Sequence, residues 1–146
     1  MTRAHSIRGF SLIEIMAAML IIALVASLAV TLMPASGRAR VKAAAMETAA
    51  LIRRERIGAI LTGRDRQVVI DGEQRALIGD GGDRVVIPAD VVLDLLGTSA
   101  LAARQTVVRF RPDGASSGAV LRLSRERIQY EIKVNWYTGG VTITAL

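Results

Sequence analysis

Cysteine does not occur among the 146 residues, and histidine occurs once, as His5. The first absence excludes disulfides, thiolate catalysis and a lipidated N-terminal cysteine. The second leaves a single imidazole for proton transfer or metal ligation, and it lies in the first few residues of the chain. Aromatic residues make up only 3% of the sequence, too few for basic-aromatic interleaving of the kind a base-stacking surface requires. There is no S-x-x-K pair and no glycine-rich phosphate loop after a strand, so most routes to an enzyme are closed. No cofactor and no metal ligand set is expected. Lysine is scarce too: of 19 basic residues only Lys42 and Lys133 are lysines. The net charge of +6 is modest and suits a solvated surface.

What the sequence has in abundance is one apolar run. "RGFSLIEIMAAMLIIALVASLAV", residues 8–30, is long enough to span a membrane, and from Ile15 to Met33 its only polar side chains are Ser27 and Thr31. Counted from Phe10 the run has 24 residues, too long for the 7–15 residue core of an ordinary secretory signal. Glu14 lies inside it. A carboxylate in hydrocarbon costs roughly 2.5–3.5 kcal/mol, so a plain anchor gains nothing from one and a partner is expected. Arg3 and Arg8 precede the run while Arg38, Arg40 and Lys42 follow it, so flanking charge does not fix its orientation.

Gly9 followed by "FSLIE", after a short basic leader, resembles the type IV prepilin (class III) signal. The resemblance implies cleavage after Gly9 by a membrane aspartic peptidase on the cytoplasmic side and N-methylation of the new terminal residue, Phe10. It also implies that Glu14 of an incoming subunit pairs with the Phe10 amine of its neighbour. Each charge is costly alone at a helix terminus in low dielectric, and pairing would set register in a filament.

Pro34 closes the apolar run, and a second helix is expected from about Ala39 to Thr62, stopped by Gly63. Val41, Ala44, Ala45, Thr48, Leu51, Ile52 and Ala59 recur at three and four, a stripe of mostly small residues suited to packing on a sheet, while Arg40, Glu47, Arg53, Arg54 and Arg56 fall on other faces. Beyond Gly63 the pattern turns to short β-type runs: "RQVVID", "QRALIG", "RVVIP", "TVVRFRP", "AVLRLS" and "IQYEIKV". "DGGD" at 80–83 and "RPDGASSG" at 111–118 are turn clusters. "ADVVLDLLGTSAL", 89–101, fits either a strand with a loop or a short helix.

The block 107–123, followed by "VNWYTGGVTI", is similar to the C-terminal signature of the GspH/FimT class of minor pseudopilins and pilins, in which a turn joins two strands and a terminal Trp/Tyr-x-Gly segment completes the sheet. Asp113, Ser116 and Ser117 are read as turn formers, and Trp136 and Tyr137 as core or sheet-edge residues. Major pilins often carry a proline deeper in the membrane helix, whereas the nearest here is Pro34.

The expected fold is α+β and pilin-like, with a long N-terminal helix packed on an antiparallel β-sheet domain. Leader (1–9), membrane and assembly helix (10–33), second half of the helix (34–63) and β-rich domain (64–146) follow in order. The class implies a structural subunit of the type II secretion pseudopilus, anchored once in the bacterial inner membrane with its C-terminal domain periplasmic. Its implied partners are major and minor pseudopilins, the prepilin peptidase and the inner-membrane assembly platform. The alternative is a minor pilin of a type IV pilus or competence filament. Arg104, Arg109, Arg111, Arg122, Arg125 and Arg127 would serve DNA only if several shared one face, and nucleic acid is not the expected partner.

Overall fold

The structure, a computed structural model, describes residues 11–32, 36–96 and 104–146. The chain divides into two compact units, 1–34 and 35–146. Gly9, Phe10, Pro34 and the end of the 89–101 run lie outside the described residues.

In the first unit, α1 (Leu12–Leu32) is a 21-residue helix, about 30 Å long at the ordinary rise per residue. The Ser11 carbonyl opens it by accepting the N–H groups of Glu14 and Ile15 at 3.0 and 3.2 Å. Leu12–Ala29 has a mean hydropathy of 2.5, and none of it is buried against the rest of the chain. The helix has no polar face, as expected of one whose surroundings are apolar on every side.

The second unit starts with α2 (Gly37–Thr62). Ser36 caps it by accepting the Ala39 N–H at 3.3 Å, and Gly63 ends it in the left-handed region at φ 63°, which a residue without Cβ adopts freely. Every residue of the expected stripe is buried, from Val41 to Ala59, and Ala49 and Glu55 join it.

Eight strands follow: β1 (Arg66–Asp71), β2 (Ala76–Gly79), β3 (Arg84–Val86), β4 (Val92–Leu95), β5 (Arg104–Phe110), β6 (Ala119–Arg125), β7 (Ile128–Val134) and β8 (Val141–Ala145). They form two four-stranded sheets, β3-β2-β1-β5 and β4-β6-β7-β8, antiparallel throughout. α2 packs against strands of both. The described part of the ambiguous run contains a strand: Val92 to Leu95 pair with Ser124 to Leu121 of β6, and within it only Leu93 is buried. Phe110, Leu51, Ile52, Leu77, Leu121, Leu123 and Ile132 are the largest apolar side chains of the shared core.

Candidate functional site

Glu14 stands in the first turn of α1, exposed, with Leu12, Ile13, Ile15 and Met16 exposed around it. No group among the described residues pairs with its side chain.

The turn cluster at 111–118 is built by its own side chains. Asp113 Oδ1 accepts the Ala115 N–H at 2.9 Å, and Gly114 takes φ 84°. Ser117 Oγ accepts the Arg109 N–H at 3.1 Å. Ser116, buried, donates from Oγ to the Asn135 carbonyl and accepts the Gly118 N–H, both at 3.0 Å. Its own N–H reaches the Trp136 carbonyl at 2.8 Å. Gly114–Gly118 spells G-x-S-x-G, the letters of a hydrolase nucleophile turn, but it joins two strands with no helix after it, and the Ser116 hydroxyl is spent on a backbone carbonyl. The three residues are turn formers.

Both loops meet α2 at one atom. The Gly114 carbonyl accepts Arg56 Nε–H at 3.3 Å, and Gly139, at φ 63°, lies so close that a Cβ there would run into the same carbonyl. Asn135 Oδ1 accepts the N–H groups of Tyr137 and Thr138 at 2.9 and 3.0 Å, turning the chain back on itself. That turn corrects the expectation for the aromatic pair. Trp136 and Tyr137 are 68% and 73% exposed, stacked edge to face at 5.6 Å, and neither is in the core.

One charged residue escaped the sequence reading. Glu55 is buried in α2, where its Oε1 accepts the Gly81 N–H at 3.1 Å and its Oε2 lies 3.5 Å from the Arg66 guanidinium. A Cβ at Gly79 would be 2.8 Å from the carboxylate carbon, so glycine there makes room for it. The available signal was spacing: Glu55 falls seven residues after Thr48 on the buried stripe.

The six C-terminal arginines do not form one surface. Arg104 and Arg109 are on β5 in one sheet, and Arg122 and Arg125 on β6 in the other. Arg122 pairs with Glu131 at 3.3 Å and Arg125 with Asp90 at 2.6 Å. Asp90 also binds Arg40 at 3.2 Å, and its carboxyl lies below the usual carboxylate value. Desolvation opposes that shift and is outweighed by a backbone hydrogen bond, the Arg40 hydrogen bond and the charges of Arg125 and Arg40. Among the described residues no three His, Cys, Asp or Glu side chains are placed to hold a metal.

Comparison with known proteins agrees with this geometry. Residues 5–30 match the prokaryotic N-terminal methylation motif. Type II secretion system protein H of Xanthomonas campestris pv. campestris is 31% identical over 140 residues, covering 94% of this chain and 83% of that protein. Among solved structures, the minor pseudopilin EpsH from the type 2 secretion system of Vibrio cholerae superposes with a TM-score of 0.57 at 19% identity, over 73% of this chain and 97% of EpsH. The type IV minor pilin FimU of Pseudomonas aeruginosa gives 0.58 at 12% identity, over 77% of this chain and 97% of FimU. At such identities the last two establish the pilin-like fold, and the Xanthomonas protein establishes more: this chain belongs to the family of type II secretion system protein H, the H-type minor pseudopilins, and is a structural subunit, not an enzyme.

Proposed function

We propose that α1 anchors the chain in the bacterial inner membrane with the amino terminus cytoplasmic and the second unit periplasmic. The prepilin peptidase cuts between Gly9 and Phe10, Phe10 is methylated, and the subunit leaves the membrane with the help of the inner-membrane assembly platform to enter a periplasmic pseudopilus. Its neighbours there are major and minor pseudopilins, and the filament drives folded proteins across the outer membrane. The work is done by differential burial. Apolar α1 exchanges lipid for other subunits' helices, and Glu14 exchanges a costly isolated position for the methylated amine of a neighbour.

The observation that carries this reading is one exposed carboxylate in the first turn of a helix otherwise apolar on all sides, inside a matched methylation motif. A minor-pilin role in a type IV pilus is favoured only by the likeness to FimU, which concerns the fold. DNA contact finds less support, because the arginines are divided between sheets and two of those on β6 already hold carboxylates. The test is the intact mass of the chain purified from its host's membranes. A chain that starts at methylated Phe10 supports the proposal, and one that keeps Met1 refutes processing.

A further inference from the structure

The end of the second unit that holds the start of α2 carries basic side chains that have no ion-pair partner among the described residues. Arg38 in the first turn of α2 and Arg127 in the β6–β7 turn line a common cleft of about 160 Å³, with Gln129 and Leu146 beside them. Arg38, Lys42 and Arg127 are exposed, and none has an acidic partner among the described residues. Asp90 is engaged by Arg40 and Arg125, and Glu126 lies 3.8 Å from Arg125.

Arg38 and Lys42 are also four apart on one helix face, where like charges repel and weaken the helix. The arrangement has a cost within the subunit and, among the described residues, no carboxylate within ion-pair distance. Only the four residues 33–36 separate α1 from α2 in the sequence. An anionic bilayer surface is the charge complement that this chain position offers.

We infer that Arg38, Lys42 and Arg127 form a docking surface for anionic phospholipid headgroups, with a lipid phosphate seated in the cleft between Arg38 and Arg127. The surface holds the second unit against the bilayer while the subunit is membrane-resident, and it is released when α1 is withdrawn. The inference rests on the reading of α1 as the membrane anchor. Attraction of this kind is worth about a fivefold shift in equilibrium per cationic side chain near an anionic surface, and salt screens it.

The full chain, reconstituted in vesicles of phosphatidylcholine alone or mixed with phosphatidylglycerol, provides the test. Flotation with the vesicles after an alkaline wash reads anchoring by itself. Amide exchange is then followed by mass spectrometry over residues 37–42 and 126–130. Trp136 is the built-in control: it follows the end of β7 opposite Arg127, and that seven-residue strand is about 23 Å long at 3.3 Å per residue. Its accessibility to acrylamide should be the same in both lipids.

The expected result is exchange slowed about fivefold or more in the anionic vesicles only. That protection should vanish near 1 M salt, where the Debye length is ~3 Å. It should also be absent from the variant R38E/K42E/R127E, and the salt series on the unaltered chain gives the same answer if that variant does not fold. Equal exchange in the two lipids, in protein that floats, overturns the docking surface and leaves the anchor standing. Protection in both lipids that grows with protein density overturns it in favour of contact between subunits. Protein that does not float overturns the anchor and the docking surface together.

Discussion

Two glutamates of this chain differ in where their counter-charge is found. Glu55 has its partners at home: Arg66 and the Gly81 N–H. Glu55→Ala would leave Arg66 beside the helix without its carboxylate and open a void under the β2–β3 turn, at a cost of about 2–3 kcal/mol given that Arg66 keeps some contact with water. Urea unfolding of the full chain in mild detergent, followed by circular dichroism, measures it. Glu14 has no partner among the described residues. Glu14→Val should therefore insert and be processed as before, and should enter filaments poorly, which co-purification with sheared filaments reads directly. Normal incorporation would refute the amine pairing. Glu14 was legible in the sequence because its surroundings are contiguous residues and an acid in a hydrophobic run stands out. Glu55 was not, because its partners come from residues 66 and 81, and a glutamate in a helix rich in charge does not announce that it is buried.

At the scale of elements, what was local was readable. The stripe on α2 and the runs that became β1, β6 and β7 follow from period and propensity alone. The division into two sheets was not readable, since it depends on pairings such as Val92 with Ser124, between segments whose affinity no local pattern encodes. The core placement of the aromatic pair failed for a related reason. Hydrophobicity sends Trp136 and Tyr137 inward, but the Asn135 side chain and Gly139 impose a turn that points them out. The signature turn owes its rigidity to Ser116, which joins the β5–β6 and β7–β8 connections. Ser116→Ala would leave the Gly118 N–H without its acceptor and remove the donor to the Asn135 carbonyl, for a loss of about 1–2 kcal/mol. The same unfolding measurement should show it, with faster amide exchange confined to residues 114–118 and 135–140.

For the molecule as a whole, Asp90 is a single carboxylate tying the start of α2 to the end of β6. Its folded-state pKa lies below the ordinary value of 3.8, so it contributes its full stabilisation above that value and loses it as pH falls through the lower folded value. Asp90→Asn should be less stable than the parent chain at neutral pH, and the gap should close in strong acid. Denaturation midpoints measured across the acidic range would show the two curves converging, and a constant gap would refute the linkage. Family and broad fold were legible at this scale because the leader motif and the C-terminal block are contiguous. The neutralising role of Asp90 was hidden, because Arg40 and Arg125 are remote from it in the chain.

The seat of Glu55 also orders the mutational paths open to this protein. Gly79 and Gly81 face the carboxylate so closely that a methyl group at Gly79 collides with it. An alanine at Gly79 is therefore harmful while glutamate occupies 55 and becomes tolerable once that side chain has been shortened. The loss incurred by the second change depends on whether the first has occurred, so a double-mutant cycle between the two positions should deviate from additivity by about 1–3 kcal/mol. The helix and the hairpin can drift in sequence only together.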